Sequence, residues 1–511
     1  MRRYGIDLIA LGGLGLLAGC PDRAVSAVNT GQQGAVTKEI PVSADLDILF
    51  VIDDSASTGD KQMLFQSNFG NFVTALDSFP TGRPNLHMGV VTSTVDDGKA
   101  AAMLSPNCPS PNTSKDGILQ MGTGSAAPSG RYISDVAGPN GSASPRQTNY
   151  TGQLQDAFAS IAAVGAGGCG FEADLEGMKR ALDGSHSQNQ GFIRDGAYLA
   201  VIFLTDEDDA SIKDGSDGQD VFGVTSGLSS GAINSDFRLQ PLYAYNCDNP
   251  IGAGSGSAFY TNCVPRTDSY LQDPAYFSSF LAGVKDPART VVGVVAAPPP
   301  PPFQTDDNPP QMANITYMAG ANTIGIGGLT IGSNPEQAPA LLPSCSTTLA
   351  DGNAIGRPAI RMASFLSAYG ERGKFYNICQ SDYGAALTDI GDTLFNAISP
   401  CLEGPVDTSD ADPNNPGTQL QCTVNDVLNQ GGSDQTETEI PACTMANSAN
   451  TAAMCNTAPC PASGTATPCW WTDQNTTSCP APDTGYELNI FRSTPAATGT
   501  TVDVQCAVVA Q

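Results

Sequence analysis

The stretch DLDILFVIDDSAS, residues 45–57, decides the fold of this chain. Residues 45–52 end in a continuous apolar run, which is the pattern of a parallel strand that is buried on both faces. Asp53, Ser55 and Ser57 follow directly, in the spacing D-x-S-x-S. In an open α/β sheet, ligands bind beyond the carboxyl ends of the strands. The sequence therefore predicts a strand that carries one carboxylate and two hydroxyls to a ligand-binding edge.

A second strand of the same kind, YLAVIFL at 198–204, runs into Thr205 and Asp206. Further apolar strands alternate with amphipathic helical patterns. These strands are predicted at 87–92, 291–295 and 374–378. The helices are predicted at 63–76, 153–164, 171–183, 275–284, 358–369 and 382–398. The alternation predicts an α/β fold with a doubly wound, mostly parallel sheet, in which Asp206 reaches the same edge as Asp53.

The residue types at this edge are typical of a metal site. Carboxylate and hydroxyl oxygens are hard ligands that suit Mg²⁺, Ca²⁺ or Mn²⁺ and are poor ligands for zinc or copper. The D-x-S-x-S loop and Asp206 are therefore candidate ligands of a divalent cation. The acidic run behind Asp206 has two interpretations, a solvated loop or, at Asp208 and Asp209, a second Ca²⁺ site.

The order of these pieces resembles a von Willebrand factor type A (VWA) domain with a metal-ion-dependent adhesion site (MIDAS). It comprises an apolar strand ending in D-x-S-x-S, a helix, a strand of the form M-G-V-V-T, a Gly-rich loop before a helix, and an apolar strand ending in T-D. The resemblance covers residues 44–400, apart from loop insertions at 96–150 and 207–270. It implies that Ser55 and Ser57 bind the cation directly, whereas Asp53 and Asp206 act mainly through water.

One position departs from the family pattern. VWA domains usually carry Thr in the Gly-rich loop, whereas counting back from the helix places Glu172 there, within GGCGFE at 167–172. The integrin β-subunit version of the domain is similar in using Glu at this point. A carboxylate ligand strengthens cation binding, but it neutralises charge that an acidic partner group would need. Asp60 matches one aspartate of a neighbouring integrin β site and Lys61 replaces the other, so a second site there is not expected.

Composition limits the classes of function. The chain has 511 residues and a formal net charge of −28, which argues against a basic nucleic-acid-binding face. The two histidines, His87 and His186, leave little room for His-based catalysis, and no nucleophile motif is present, so an enzyme is not expected. The enzymatic alternative is hydrolysis by a metal-activated water.

The N-terminus is similar to that of a bacterial lipoprotein. Two arginines precede a short apolar stretch that ends in LAGC at 17–20, which resembles a lipobox. Residues 1–19 are interpreted as a signal peptide, Cys20 as the lipidated membrane anchor and 20–43 as a tether. No Asp directly follows Cys20, which favours the outer membrane of the cell envelope. An ordinary secretory signal is the alternative.

Cysteine usage indicates an oxidising, extracytoplasmic compartment. Of the fifteen cysteines, fourteen remain after Cys20, and they form a set at 108–379 and a set at 401–506. Cys247 and Cys263 are predicted to close a local loop, and the other pairings stay open. Residues 401–418 are predicted as a linker to a small Cys-rich β-domain at 419–511, whose paired tryptophans, 470 and 471, either pack against disulfides or stack on a sugar.

The whole arrangement also resembles large Cys-rich lipoproteins of myxobacteria. The lipobox, the G-C-G-F-E stretch, the L-T-D-E-D-D strand end and the C-terminal Cys/Trp-rich region carry this resemblance. It informs location more than function.

Together these patterns predict a lipid-anchored envelope protein whose cation site binds an extracytoplasmic protein or glycan. An acidic group of that ligand would complete the coordination of the metal, in adhesion or complex assembly. The alternative is a structural envelope lipoprotein whose metal only braces loops. In the VWA family, ligand binding can shift the last helix. Cys379 and Cys401 bracket that helix here, so disulfides at both would limit its movement.

Overall fold

The described part of the chain is given by a computed structural model. It comprises residues 35–41, 45–79, 82–96, 108, 115–138, 142–213, 244–248, 258–260, 262–299, 315–319, 339–341, 343–349, 352–398, 401–402, 405–415, 417–428, 435–445, 467–474, 476, 479, 485–492, 496 and 500–508. The predicted signal peptide and Cys20 lie outside these residues. Within them, no helix combines the length and apolar character needed to cross a bilayer.

The secondary structure follows the predicted alternation closely. The helices are α1 (Gly59–Asp77), α2 (Leu154–Ala162), α3 (Asp174–Leu182), α4 (Pro274–Val284), α5 (Ile360–Leu366) and α6 (Gly384–Ile398). The strands are β1 (Ala35–Pro41), β2 (Asp45–Ile52), β3 (Asn85–Thr92), β4 (Tyr132–Gly138), β5 (Ser142–Thr148), β6 (Tyr198–Leu204), β7 (Tyr245–Asn246), β8 (Ala258–Tyr260), β9 (Val264–Pro265), β10 (Thr290–Ala296), β11 (Ile315–Ala319), β12 (Pro339–Leu341), β13 (Cys345–Leu349), β14 (Gly352–Gly356), β15 (Gly373–Asn377), β16 (Cys422–Leu428), β17 (Thr436–Ile440), β18 (Cys469–Gln474), β19 (Tyr486–Phe491) and β20 (Thr500–Ala507).

The central sheet of the described residues has the order β15-β10-β6-β2-β3-β4-β5. The strands from β15 to β3 are parallel to their neighbours, whereas the hairpin β4–β5 adds two antiparallel strands at one edge. A mixed α/β fold with a mostly parallel sheet is thus confirmed. The hairpin lies in the stretch predicted as the first loop insertion, so part of that stretch extends the sheet.

Both faces of the sheet are covered by helices, because the central strands are apolar on both sides. In β2, Phe50 packs toward α1, α2 and α6, whereas Leu49 and Val51 pack toward α3, α4 and α5. The Phe50 ring lies within 6.2 Å, centroid to centroid, of three rings on α1. Such two-sided burial anchors β2 at the centre of the domain, and with it the loop that follows.

The C-terminal region forms a second sheet, of the order β1-β20-β16-β17. Residues 20–43 are predicted as a tether, but β1, at Ala35–Pro41, pairs antiparallel with β20. The predicted linker also differs, since Leu402 and Val406 are buried in the core of the C-terminal region. Residues 35–41 and the described residues of the predicted linker therefore belong to the folded β-region, and β1 lies at the edge of the described sheet.

Disulfides join cysteines only within each predicted set among the described residues. The first set pairs as Cys108–Cys169, Cys247–Cys263 and Cys345–Cys379. The second set pairs as Cys401–Cys479, Cys422–Cys506 and Cys443–Cys469. The local loop predicted at Cys247 is confirmed. Trp471 packs beside the Cys443–Cys469 disulfide and is buried, as the packing interpretation expected.

Candidate cation site at the sheet edge

The candidate site lies where two neighbouring parallel strands, β2 and β6, end side by side. The backbone N–H of Asp53 donates to the carbonyl of Leu204 at 2.9 Å, which joins the ends of the two strands. The loop after β2 is then fixed from within, because the Thr58 hydroxyl and the Gln62 amide both donate to the Asp53 carbonyl, at 2.9 and 2.7 Å. The D-x-S-x-S loop is therefore tied to the start of α1 by two hydrogen bonds.

The predicted serine and aspartate side chains meet in a continuous row of oxygens. Ser55 Oγ lies 3.1 Å from Ser57 Oγ, and the Ser57 hydroxyl donates to Asp206 Oδ1 at 3.1 Å. Behind them, Asp53 Oδ1 accepts from the Ser55 N–H at 2.8 Å and from the Ser93 hydroxyl at 3.2 Å. Four of the predicted site residues are thus linked by direct or next-neighbour contacts, across 149 positions of sequence between Ser57 and Asp206.

Glu172 reaches the same edge on the loop before α3. The backbone N–H of Ala173 donates to the Ser93 carbonyl at 3.0 Å, and the Ala210 N–H donates to the Glu172 carbonyl at 2.6 Å. The Glu172 side chain is buried. Gly168 in this loop lets the backbone approach Asp54, since an added Cβ would lie 2.3 Å from Asp54 Oδ1. The loop is therefore held between the ends of β2, β3 and β6.

Lys61 is a buried basic residue of the site that was not predicted as part of it. Its ammonium forms an ion pair with Asp206 and donates to the Ser57 carbonyl at 3.0 Å. Both side chains of the ion pair are 1% exposed. The neighbouring Asp60 instead accepts from the Lys61 N–H at 2.8 Å, within the first turn of α1. Asp60 and Lys61 therefore do not face each other as a second cation site.

The other acidic residues after β6 form hydrogen bonds or ion pairs with arginines. Asp208 accepts from the Tyr245 hydroxyl at 2.7 Å and from the backbone N–H of Arg361 at 2.8 Å. Asp209 forms an ion pair with Arg361 at 2.9 Å, and both side chains are fully buried. Glu207 forms an ion pair with Arg357. These contacts favour bracing over a second Ca²⁺ site at Asp208 and Asp209.

Asp174 is a buried acid at this edge that sequence reasoning missed. It is the first residue of α3 and is 0% exposed, and neither carboxylate oxygen accepts a well-formed hydrogen bond from the described residues. Burial raises the pKa of Asp174 well above its ordinary range, the negative charges of Asp53 and Asp209 raise it further, and the Thr205 hydroxyl offsets part of the rise. In sequence, Asp174 is an ordinary acidic residue of a first helical turn.

Asp53 has a similar electrostatic environment. Burial is the main reason that its pKa is raised well above the ordinary range, and the negative charge of Asp206 adds to the rise. The donors to its carboxylate are neutral: the Ser55 N–H and the hydroxyls of Ser93 and Thr205, the last at 3.4 Å. Two buried carboxylates without a described basic partner favour either protons or a bound cation.

The donor set fits a hard cation. It combines the carboxylates of Asp53 and Asp206 with the two serine hydroxyls, and the backbone of Glu172 lies on the neighbouring loop. The described residues hold no cluster of three or more His, Cys, Asp or Glu side chains in metal-binding arrangement, so the hydroxyls are essential to this set. Ser57 is half-buried and Ala56 is exposed, and both line a cavity of about 560 Å³ beside α1. The row of oxygens thus has one open side.

No protein-family model matches the chain, and no curated protein sequence matches it. Among solved structures, it is similar to the pilus adhesin SpaC from Lactobacillus rhamnosus GG in the open conformation, at 13% identity and a TM-score of 0.29, over 94% of this chain and 41% of that one. The pilus adhesin RrgA from Streptococcus pneumoniae matches at 10% identity and a TM-score of 0.22, over 93% of this chain and 58% of that one. The chain spans less than two thirds of either adhesin. Scores this low transfer neither fold nor function.

Proposed function

We propose that this protein holds a divalent cation, Mg²⁺ or Ca²⁺, at the D-x-S-x-S loop and uses it to bind an acidic group of an extracytoplasmic protein or glycan. The observation that carries the proposal is the row of oxygens from Ser55 through Ser57 to Asp206, with Asp53 buried behind it. In this arrangement the serines contribute direct ligands, Glu172 contributes a carboxylate from the loop before α3, and Asp206 orients Ser57. A bound cation would supply the attraction for an acidic ligand.

The position of the open side supports binding rather than hydrolysis. The cavity beside Ser57 is lined by side chains of α1 and by the turn at 163–166, and it contains no histidine or cysteine. A partner carboxylate could approach the cation from this side. The protein contributes position and charge there, through the Ser57 hydroxyl and the Asp60 carboxylate in the lining.

The disulfides support a receptor of fixed shape. Cys379, just before α6, is bonded to Cys345, and Cys401, just after it, is bonded to Cys479. Both ends of the helix that shifts in the VWA family are therefore cross-linked. We expect ligand binding without a large movement of α6.

The lipobox-like sequence at 17–20 and the disulfides support a lipid-anchored protein of the bacterial cell envelope, on the extracytoplasmic side. The outer membrane is the proposed location. Adhesion or the assembly of an envelope complex is the proposed role.

Thermal unfolding of the protein with and without Mg²⁺ or Ca²⁺ tests the cation site. A cation at one hundred times its Kd should stabilise the wild type by about 2.7 kcal/mol, because only the folded chain assembles the ligands. The variant D53A/S55A should lose this stabilisation, whereas Ser67→Ala, on the exposed face of α1, should keep it. An unchanged melting temperature of the wild type in both cations would refute the proposal.

The alternative role is a cation that only braces the loops. The two disulfides that flank α6 also fit this role, since they limit the movement of that helix. Envelope extract passed over the immobilised protein, with and without EDTA, separates the two roles. Partner capture that survives EDTA favours bracing.

A further inference from the structure

Lys61 brings a positive charge into the site that the sequence pattern does not anticipate. It lies in the first turn of α1, is 1% exposed and has its ammonium between Asp206 and the Ser57 carbonyl. A lysine buried to this degree requires a counter-charge, and Asp206 supplies it. The ion pair is therefore part of the inner wall of the candidate site and not a surface contact.

The contact occupies Asp206 on both oxygens. The Ser57 hydroxyl donates to Oδ1 and the Lys61 ammonium pairs with Oδ2. Because the Ser57 proton is directed at Asp206, the lone pairs of Ser57 Oγ remain available on its other side, where Ser55 Oγ lies 3.1 Å away. Asp206 thus acts as an acceptor that orients Ser57.

The net charge of the proposed site shows what a lysine contributes there. Asp53, Glu172 and Asp206 bring three negative charges to a dication, so the loaded site would carry a net charge of −1 and would repel an acidic partner group. The ammonium of Lys61 brings the sum to zero.

We propose that Lys61 is the charge-compensating residue of the cation site: it neutralises Asp206 and thereby sets a lower affinity for the divalent cation than the carboxylates alone would give. The inference rests on the proposed function. It makes Asp206 a positioning residue whose charge is matched by Lys61, rather than a ligand whose charge serves the cation.

Calcium titrations by isothermal calorimetry on the full chain test this assignment in four forms: wild type, K61M, D206N and K61M/D206N. K61M should bind Ca²⁺ about tenfold more tightly, because a positive charge beside the dication is removed. D206N should bind at least tenfold more weakly, since the ammonium then faces the cation without its counter-charge. The double variant should return to within about threefold of the wild type.

The double variant decides the question even where K61M alone fails to fold without metal, because it removes both members of the pair and leaves no buried single charge. If K61M/D206N binds as weakly as D206N, Asp206 serves the cation directly and the assignment of Lys61 is overturned. Ca²⁺ binding by K61M that is equal to or weaker than that of the wild type overturns it as well.

A matched control is Lys115→Met. Lys115 pairs with Asp54, a buried carboxylate of the same loop that is held by the Thr94 hydroxyl at 2.7 Å. This change removes a lysine from a buried carboxylate without touching Asp206 or Ser57, so we expect less than a threefold change in Ca²⁺ affinity. Failure of the proposed function has a different signature: a wild-type chain that binds neither Ca²⁺ nor Mg²⁺.

Discussion

Two groups of buried acids lie near the end of β6, and they differ in whether a basic residue neutralises them. Asp208 and Asp209 are closed by Arg361, which is fully buried and donates from both its backbone and its guanidinium. Asp53 and Asp174 are equally buried, but the described residues offer them only neutral donors. The first group is complete without any ligand. The second is unfavourable in the metal-free protein, which is the condition expected of a site that awaits a cation.

Arg361→Met should have the largest effect on stability, because it leaves Asp208 and Asp209 buried without the Arg361 guanidinium. Loss of one partner of a buried pair destabilises by about 3–5 kcal/mol, and urea unfolding measures it. The stabilisation by saturating Ca²⁺ should be no larger in this variant than in the wild type, since the Asp208 and Asp209 carboxylates are also bonded to Tyr245 and Ser211. Arg266→Met, whose partner Asp268 is exposed, is the matched control and should cost under about 1 kcal/mol. Restoration by Ca²⁺ would erase the distinction between the two groups.

Asp174→Asn should have the opposite sign. At pH 8 without metal, the change replaces a buried carboxylate that lacks a described basic partner by a neutral amide, so we expect stabilisation by about 1–2 kcal/mol. Glu176→Gln is the control on the same helix, because the Glu176 carboxylate pairs with Arg180 at 2.7 Å and with Lys179 at 3.1 Å. That control should lose stability. A loss of stability in Asp174→Asn as well would mean that Asp174 has a favourable partner in the fold.

The pH dependence of stability in the metal-free protein also depends on these two groups of buried acids. Burial raises the pKa of Asp53 and Asp174 above the unfolded value near 3.8, and it raises the pKa of Asp208 to about 6 although Arg361 opposes the rise. At these groups the folded chain binds more protons than the unfolded chain, so they increase the free energy of unfolding as pH falls from 7 to 5; His87, whose pKa burial lowers, opposes part of this increase. We expect the melting temperature to rise by about 2–4 °C over this interval.

Saturating Ca²⁺ should weaken this dependence, because a bound cation favours the charged form of Asp53. D53N/D174N should weaken it without metal and leave the part that comes from Asp208. A metal-free wild type that loses stability steadily from pH 7 to 5 would show that paired carboxylates, and not this buried group, dominate the titration.

The sequence predicted the parts of the site that depend on local pattern. The apolar runs located β2 and β6, and the rule that ligands bind beyond the carboxyl ends of parallel strands predicted that Asp53, Ser55, Ser57 and Asp206 lie together. The pairing of Lys61 with Asp206 joins residues 145 positions apart, and no local pattern records which way a lysine of a first helical turn points. Asp174 was missed for the same reason, since an acid at a helix start is also favourable when fully exposed.

The C-terminal sheet shows the same limit at the level of the fold. β1 has the sequence AVTKEIP, which lacks the apolar run that revealed β2. Its partner β20 begins at Thr500, near the other end of the chain. An edge strand pairs on one side only and tolerates such polar composition, so its pairing could not be derived from sequence pattern.

Asp60→Asn should have the smallest effect and marks the outer limit of the site. Asp60 lies beside Ser57 along the cavity, yet its carboxylate accepts from the Lys61 N–H at the start of α1 and does not join the row of oxygens. We expect a loss of about 0.5 kcal/mol in stability from the weaker interaction with the helix N-terminus. Calcium affinity should change less than about threefold, since the half-buried Asp60 carboxylate borders the open cavity and is screened by solvent. A loss as large as that of D53A/S55A would place Asp60 among the ligands and extend the cation site along α1, beyond the edge shared by β2 and β6.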